Sequence, residues 1–291
     1  MMNLLLRLAR PSLGWFLLAM VAQAADPLPD KSRFNLLNPT PRELMREMTT
    51  DRPDVNDSPR TVDAGHFQVE MDLATFSYDR HNPDGVSRRV TTWEAAPMLL
   101  KIGVLNSMDL ELGLKPYATS LTVDGATGKR TRARGFGDIT ARAKINLWGN
   151  DGGETALAFI PFVKLPTAST GLGNRAWEGG LNTPFEIELP HGFELGVMPM
   201  LAVLRNDNDR GNHGQGGGAV MLGHAITPAV DGLVEFIGLA STQRAAPWEG
   251  VLNTALVWNV TKDWHLDCGV RIGLTRAADD LNPFIGLSWR Y

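Results

Sequence analysis

Glu70 and Asp72, and again Asp109 and Glu111, are carboxylates spaced two apart. In an extended chain that spacing puts both on one face, an arrangement that general acid–base catalysis can use. Strict alternation produces such pairs wherever one face is polar, so the spacing alone marks no catalytic centre. His66, His191, His224 and His265 are scattered, without the spacing of metal ligands. Gly171-x-Gly173 has no following Lys-Ser/Thr and matches no phosphate-cradling loop. A lipid hydrolase built on strands would need an outward Ser–His pair oriented by a third group. No outward histidine here has a serine at matching height. The residues give no catalytic set, no metal site and no cofactor.

The chemistry that remains is one-sided polarity, and strands must position it. Phe67, Val69, Met71 and Leu73 alternate with His66, Gln68, Glu70 and Asp72. Ile139, Ala141, Ala143, Ile145 and Leu147 alternate with Asp138, Thr140, Arg142, Lys144 and Asn146. In the last stretch, Ile285, Leu287, Trp289 and Tyr291 share one parity, and Phe284, Gly286, Ser288 and Arg290 the other. Alternate side chains of a strand leave opposite faces. The polar parity collects Glu186, Glu188, Glu194, Glu235 and Asp267 on the acidic side. Lys101, Lys115, Lys164 and Arg271 join Arg142, Lys144 and Arg290 on the basic side. Facing lipid, an Arg or Lys costs about 2–4 kcal/mol at mid-membrane, so this set is expected to line an interior. It could be an open mixed-charge conduit or a filled interior whose charges pair across strands.

About twelve such strands follow one another from Val62, joined alternately by long polar loops and short turns. The expected fold is all-β: a transmembrane antiparallel up-and-down β-barrel, residues 62–291, with long loops outside and short turns in the periplasm. The loops expected outside run from Asp79, Ser120, Pro166, Arg205, Ser241 and Thr275. A soluble sandwich or lipocalin-like barrel would have shorter strands and no such asymmetry. No stretch of 18 apolar residues follows the N-terminal region, so any membrane crossing must use strands. A formal charge of −4 without a basic field argues against nucleic acid as a partner. Cys268 is the single cysteine and falls in the apolar parity, as a packing residue.

Residues 1–24 have the form of a signal peptide: Arg7 and Arg10, an apolar run from Ser12 to Val21, and Ala22-Gln23-Ala24 at the cut. Export and a barrel together imply the Gram-negative outer membrane. Residues 25–61 form a polar, proline-rich leader with no alternation. Thr40-Pro41-Arg42-Glu43 predicts a capped helix to about Met48, followed by a turn-rich stretch. Asp51, Arg52 and Asp54 could meet interior charges, which would make the leader a plug.

The run Arg46 to Asp54, with Ser58-Pro59 and Val62 to Glu70, resembles the start of an outer-membrane transporter family named for the MetA-pathway of phenol degradation. Gly135 to Asp138, Asn146 to Asn150, Pro161 to Thr167 and Glu178 to Leu181 are similar to that family too. The resemblance spans nearly the whole mature chain and implies a barrel with a transporter role; it carries no catalytic residues and fixes no substrate. The expected function is passive passage of small solutes, with aromatic or hydrophobic compounds as one class. Two alternatives stay open: an outer-membrane enzyme acting on lipid, and a closed structural or surface-binding barrel. Expected partners are outer-membrane lipid, a small solute, and the barrel-assembly machinery through the strand ending in Tyr291.

Overall fold

The computed structural model describes residues 30–81, 87–206 and 210–291. The expected signal peptide lies outside the described residues. From Phe67 to Arg290 the chain forms sixteen hydrogen-bonded segments in one sheet. These are β1 (Phe67–Asp79), β2 (Arg88–Ala95), β3 (Met98–Leu105), β4 (Met108–Leu114), β5 (Tyr117–Asp124), β6 (Arg130–Gly135), β7 (Ile139–Trp148) and β8 (Thr155–Leu165). They continue with β9 (Glu178–Asn182), β10 (Phe185–Leu189), β11 (Phe193–Arg205), β12 (Asn212–Thr227), β13 (Val230–Ser241), β14 (Glu249–Thr261), β15 (Trp264–Gly273) and β16 (Leu281–Arg290).

Four walls of the barrel are each made of two of these segments: β2 with β3, β4 with β5, β6 with β7, and β9 with β10. Pro97, Pro116 and Pro184 stand at three of the breaks. Proline has no N–H to give to the ladder, so pairing lapses there and resumes beyond. Counted as walls, the strands number twelve, and β16 pairs with β1 to close an antiparallel barrel. In that seam Gln68 stands opposite Arg290 and Met71 opposite Leu287, and a bulge follows Asp72. Closure leaves no free sheet edge, which a lipid environment demands.

The outward face is apolar. Leu110, Phe159, Val220, Phe236, Leu256 and Ile285 are all exposed on it. Trp93, Tyr117 and Trp248 are exposed near the long-loop end, and Trp148, Trp258, Trp264 and Tyr291 near the short-turn end. Two aromatic belts bounding an aliphatic band match a bilayer and its interfaces. Trp264 and Trp289 stack at 5.5 Å in the short-turn belt. Cys268 is exposed on this outward face.

Two expectations are corrected. The loop expected over 120–135 is largely a hairpin: β5 and β6 pair from Ala118↔Gly135 to Val123↔Arg130 and carry the wall beyond the belt. The helix expected over 41–48 is a single 3-10 turn, Arg42–Leu44, with no side-chain cap. Arg46 explains why it stops. Its guanidinium is held by Asn106 at 2.9 Å and Asp151 at 2.8 Å, and its N–H by Asp63 at 3.1 Å. A two-turn helix has little stability of its own, so these tertiary anchors decide the backbone.

The labelling test of topology uses a Cys268→Ser background. Ala126→Cys, in the exposed β5–β6 turn, should react with an impermeant maleimide on intact cells, and Lys262→Cys should not. The reverse pattern would invert the barrel.

Candidate functional site: the lumen and the leader inside it

The leader enters the barrel and is fixed at two levels. At the rim on the short-turn side, Asp151 takes Lys31 and Arg46, each at 2.8 Å. Asp63 takes Lys31 at 3.5 Å and Arg46 at 3.4 Å. Arg290 reaches Asp263 at 2.9 Å and the Arg46 carbonyl, also at 2.9 Å. His66 sits here too, its Nε2 2.7 Å from the Thr40 carbonyl, at the rim rather than inside.

Deeper in, Asp51 is the hub. Its carboxylate accepts from Lys144 at 2.6 Å and Lys101 at 2.7 Å, with Arg142 at 3.4 Å and the Ser58 N–H at 2.9 Å. Glu70 accepts the Asp51 N–H at 2.8 Å. Glu111 lies 2.6 Å from Arg142, and Asp109 takes the Val62 N–H at 2.9 Å. These groups come from β1, β3, β4 and β7, and all are buried except the partly covered Arg142. Burial alone would raise the Asp51 carboxyl, but Lys101, Lys144 and Arg142 outweigh it and hold the group below the usual carboxylate range.

On the other side of the lumen, Arg52 bridges Asp72 and Asp267, each at 2.7 Å. Glu235 receives the backbone N–H groups of Val55 and Asn56 at 3.0 and 2.8 Å, and the Asn253 amide at 2.9 Å. A carboxylate satisfied by backbone donors reads chain position, since those donors exist only where the leader lies. Asp54 has no ion-pair partner among the described residues. Burial, then Glu235, push its carboxyl well above the usual range. Arg271 donates to the Pro53 carbonyl at 3.1 Å and stacks over the Phe284 ring at 4.3 Å. Arg60 pairs with Glu186.

Three glycines make the fit possible. A Cβ at Gly103 would run into the Asp63 carbonyl, one at Gly196 into the Asn56 amide, and one at Gly286 into the Arg52 guanidinium. The leader is thus seated at positions where the barrel wall has no side chain.

The remaining predicted residues lie toward the two mouths. Lys164 joins Asp138 at 3.1 Å and Glu178 at 2.8 Å near the long loops. Lys115 pairs with Glu94 at 3.0 Å and is half exposed. Glu188 is open at the short-turn mouth, and Glu194 lines a cavity there. Gln68 donates to the Thr49 carbonyl at 2.7 Å. Asn146, expected on the inward parity, holds the Pro59 carbonyl at 2.9 Å. The charge inventory missed Asn253, which is fully buried; its inward parity is the signal that could have found it. The inventory also missed an apolar patch of Ile160, Met198, Met221 and Ile237, buried in the lumen wall beside Glu235.

Around the leader the lumen leaves space at several levels. One of about 330 Å³ opens at the short-turn mouth beside Asp54, Glu194 and Met221. One of about 250 Å³ lies beyond Asp51 and Arg142, and one of about 390 Å³ at the outer vestibule between Glu94, Lys115 and Arg271. Arg52 lines the first two.

Lys144 is fully buried and Ala143 faces out, so the adjacent pair separates the two environments. Ala143→Arg should cost about 2–4 kcal/mol of refolding stability. Lys144→Ala should cost about 3–5 kcal/mol, because it strands Asp51 and Glu111. The second cost should shrink in a chain lacking residues 25–59, where Asp51 is gone; equal costs in both backgrounds would deny the coupling.

No curated protein sequence matches the chain. Among solved structures, an outer-membrane channel from Pseudomonas putida F1 superposes with a TM-score of 0.56 at 12% identity, over 78% of this chain and 94% of that one. The NanC porin gives 0.48 at 8% identity, over 75% and 98%. The CymD monoaromatic hydrocarbon channel gives 0.41 at 8% identity, over 77% and 87%. The architecture is that of outer-membrane barrels. Residues 50–291, the inner leader and the entire barrel, match the family model "Putative MetA-pathway of phenol degradation", and the chain belongs to that family.

Proposed function

We propose that the protein is a passive outer-membrane channel for small solutes, that its lumen takes compounds joining an aromatic or apolar body to a polar group, and that the leader sets its width. The single observation that carries this is an apolar patch set into a polar lumen. Ile160, Met198, Met221 and Ile237 form it, beside the buried Glu235, with charged and amide groups of β1, β3, β4 and β7 elsewhere around the lumen. A phenol-like solute could keep its hydroxyl on the polar groups and its ring toward the patch, and the family's name points to the same class. A sugar would leave the patch unused. Most interior cations are paired with carboxylates, whereas Asp54 and Glu235 have no cation partner among the described residues. Cleavage after Ala24 and delivery by the barrel-assembly machinery belong to the same reading.

The experiment is uptake into proteoliposomes. Phenol itself crosses bare lipid quickly, so 4-hydroxybenzoate and other ionised aromatic acids are the useful probes, beside a neutral sugar of equal mass. The expected result is faster entry of the aromatic compounds than of the sugar. Equal rates would leave a general pore and remove the aromatic class.

A further inference from the structure

Beyond the outer aromatic belt, β2, β5 and β6 form a three-stranded extension of the barrel wall. Its register lines up three rows: Trp93↔Thr119↔Arg134, Thr91↔Leu121↔Arg132 and Arg89↔Val123↔Arg130. Residues directly opposite share a face, so Arg89, Arg130, Arg132 and Arg134 stand on the same face as Trp93. That face is the outward one. Thr92 and Glu94, of the other parity, line the outer vestibule, and Trp93 is exposed against Phe76, ring centroids 4.6 Å apart. All four arginines are exposed, and none has an ion-pair partner among the described residues. Inside the barrel nearly every guanidinium is held by a carboxylate; among the described residues these four are held by none.

We propose that this outward arginine face binds the phosphate groups of the outer-leaflet glycolipid, lipopolysaccharide, and so attaches the β2–β5–β6 extension to the membrane surface. Trp93 and Tyr117 mark the level of the interface. Each residue of strand advances about 3.3 Å, so Arg132 and Arg130 stand about 7 and 13 Å further out along β6 than Arg134. The ladder therefore spans the depth at which lipid phosphates lie. A planar guanidinium meets a phosphate with two parallel hydrogen bonds, and several in a row favour a headgroup carrying more than one phosphate. Leu121 and Val123, opposite Arg132 and Arg130, give the arginine stems an apolar surface to lie along. The proposal rests on the extension being outside the cell, which the Ala126→Cys labelling tests on its own.

The test is binding to the refolded full-length protein in neutral detergent, read as thermal protection and as lipid retained after gel filtration. Bis-phosphorylated lipid A should protect the wild type. Dephosphorylated lipid A should not, and neither should inorganic phosphate at the same concentration. In the combined variant Arg130→Gln/Arg132→Gln/Arg134→Gln, binding should weaken at least about tenfold with conductance unchanged. Protection by both forms of lipid A, or by free phosphate alone, would overturn the lipid-phosphate site. Unchanged binding in the variant, with altered ion selectivity instead, would reassign the arginines to steering solutes and also overturn it. The comparison of the two lipid A forms on wild-type protein needs no variant to fold.

Discussion

A chain lacking Ala25 to Pro59, with its signal peptide kept, is expected to assemble as a barrel and to conduct several-fold better than the full-length protein. The wall closes without the leader, which adds only an isolated bridge from Asn35 to Leu105: β16 closes on β1 through the Gln68 to Tyr78 register. The leader contributes the carboxylate of Asp51 to Lys101 and Lys144, the guanidinium of Arg52 to Asp72 and Asp267, and two backbone donors to Glu235. Removing it returns those groups to water, which can solvate them because the vacated space is open at both ends. The cost to the barrel is therefore a lower melting temperature rather than failure to fold. Conductance of the folded deletion, with heat-modifiable gel mobility as the folding check, is the measurement. An unchanged conductance would leave the leader as a tether without a role in the pathway.

Asp51→Ala should have the largest effect of any single replacement in the leader. It removes one carboxylate and leaves Lys101 and Lys144, both buried, without their shortest leader contact. Breaking such a buried pair costs about 3–5 kcal/mol. Part of that loss should appear as undocking of residues 50–58, seen as longer or more frequent openings between those of the wild type and of the deletion. The pH dependence has a definite sign. Asp51 is held below its ordinary value of 3.8, so its contribution is complete above that pH and is lost only as pH falls through the depressed value. Asp54 is raised, so its burial penalises docking as pH rises above 3.8 and eases when the group protonates. Both signs keep the leader seated under mild acid. A wild-type channel that opens between pH 7 and pH 5 would contradict the assignment of Asp51 as the hub.

The barrel was legible in the sequence because a wall with lipid on one side must alternate. The parities of β1, β7 and β16 carry through to the register, with Met71 opposite Leu287 outside and Glu70 opposite Ser288 inside. Wall breaks were less legible, since Pro97, Pro116 and Pro184 interrupt pairing without ending a crossing. The leader was legible only as a capped, turn-rich segment. Its path has no period, because successive residues are met by different walls: Asp51 by β3 and β7, Arg52 by β1 and β15, Val55 and Asn56 by β13. Asn253 escaped notice for a related reason. A neutral amide adds nothing to a charge count, yet it satisfies a buried carbonyl or carboxylate as well as a cation does.

Single-channel recording of the refolded full-length protein in planar bilayers tests the central claim most directly. A lumen threaded by a docked leader should give discrete steps of low conductance. Silence from the full-length protein and from the leader deletion alike, with both shown to be folded and inserted, would contradict a channel and leave a closed barrel.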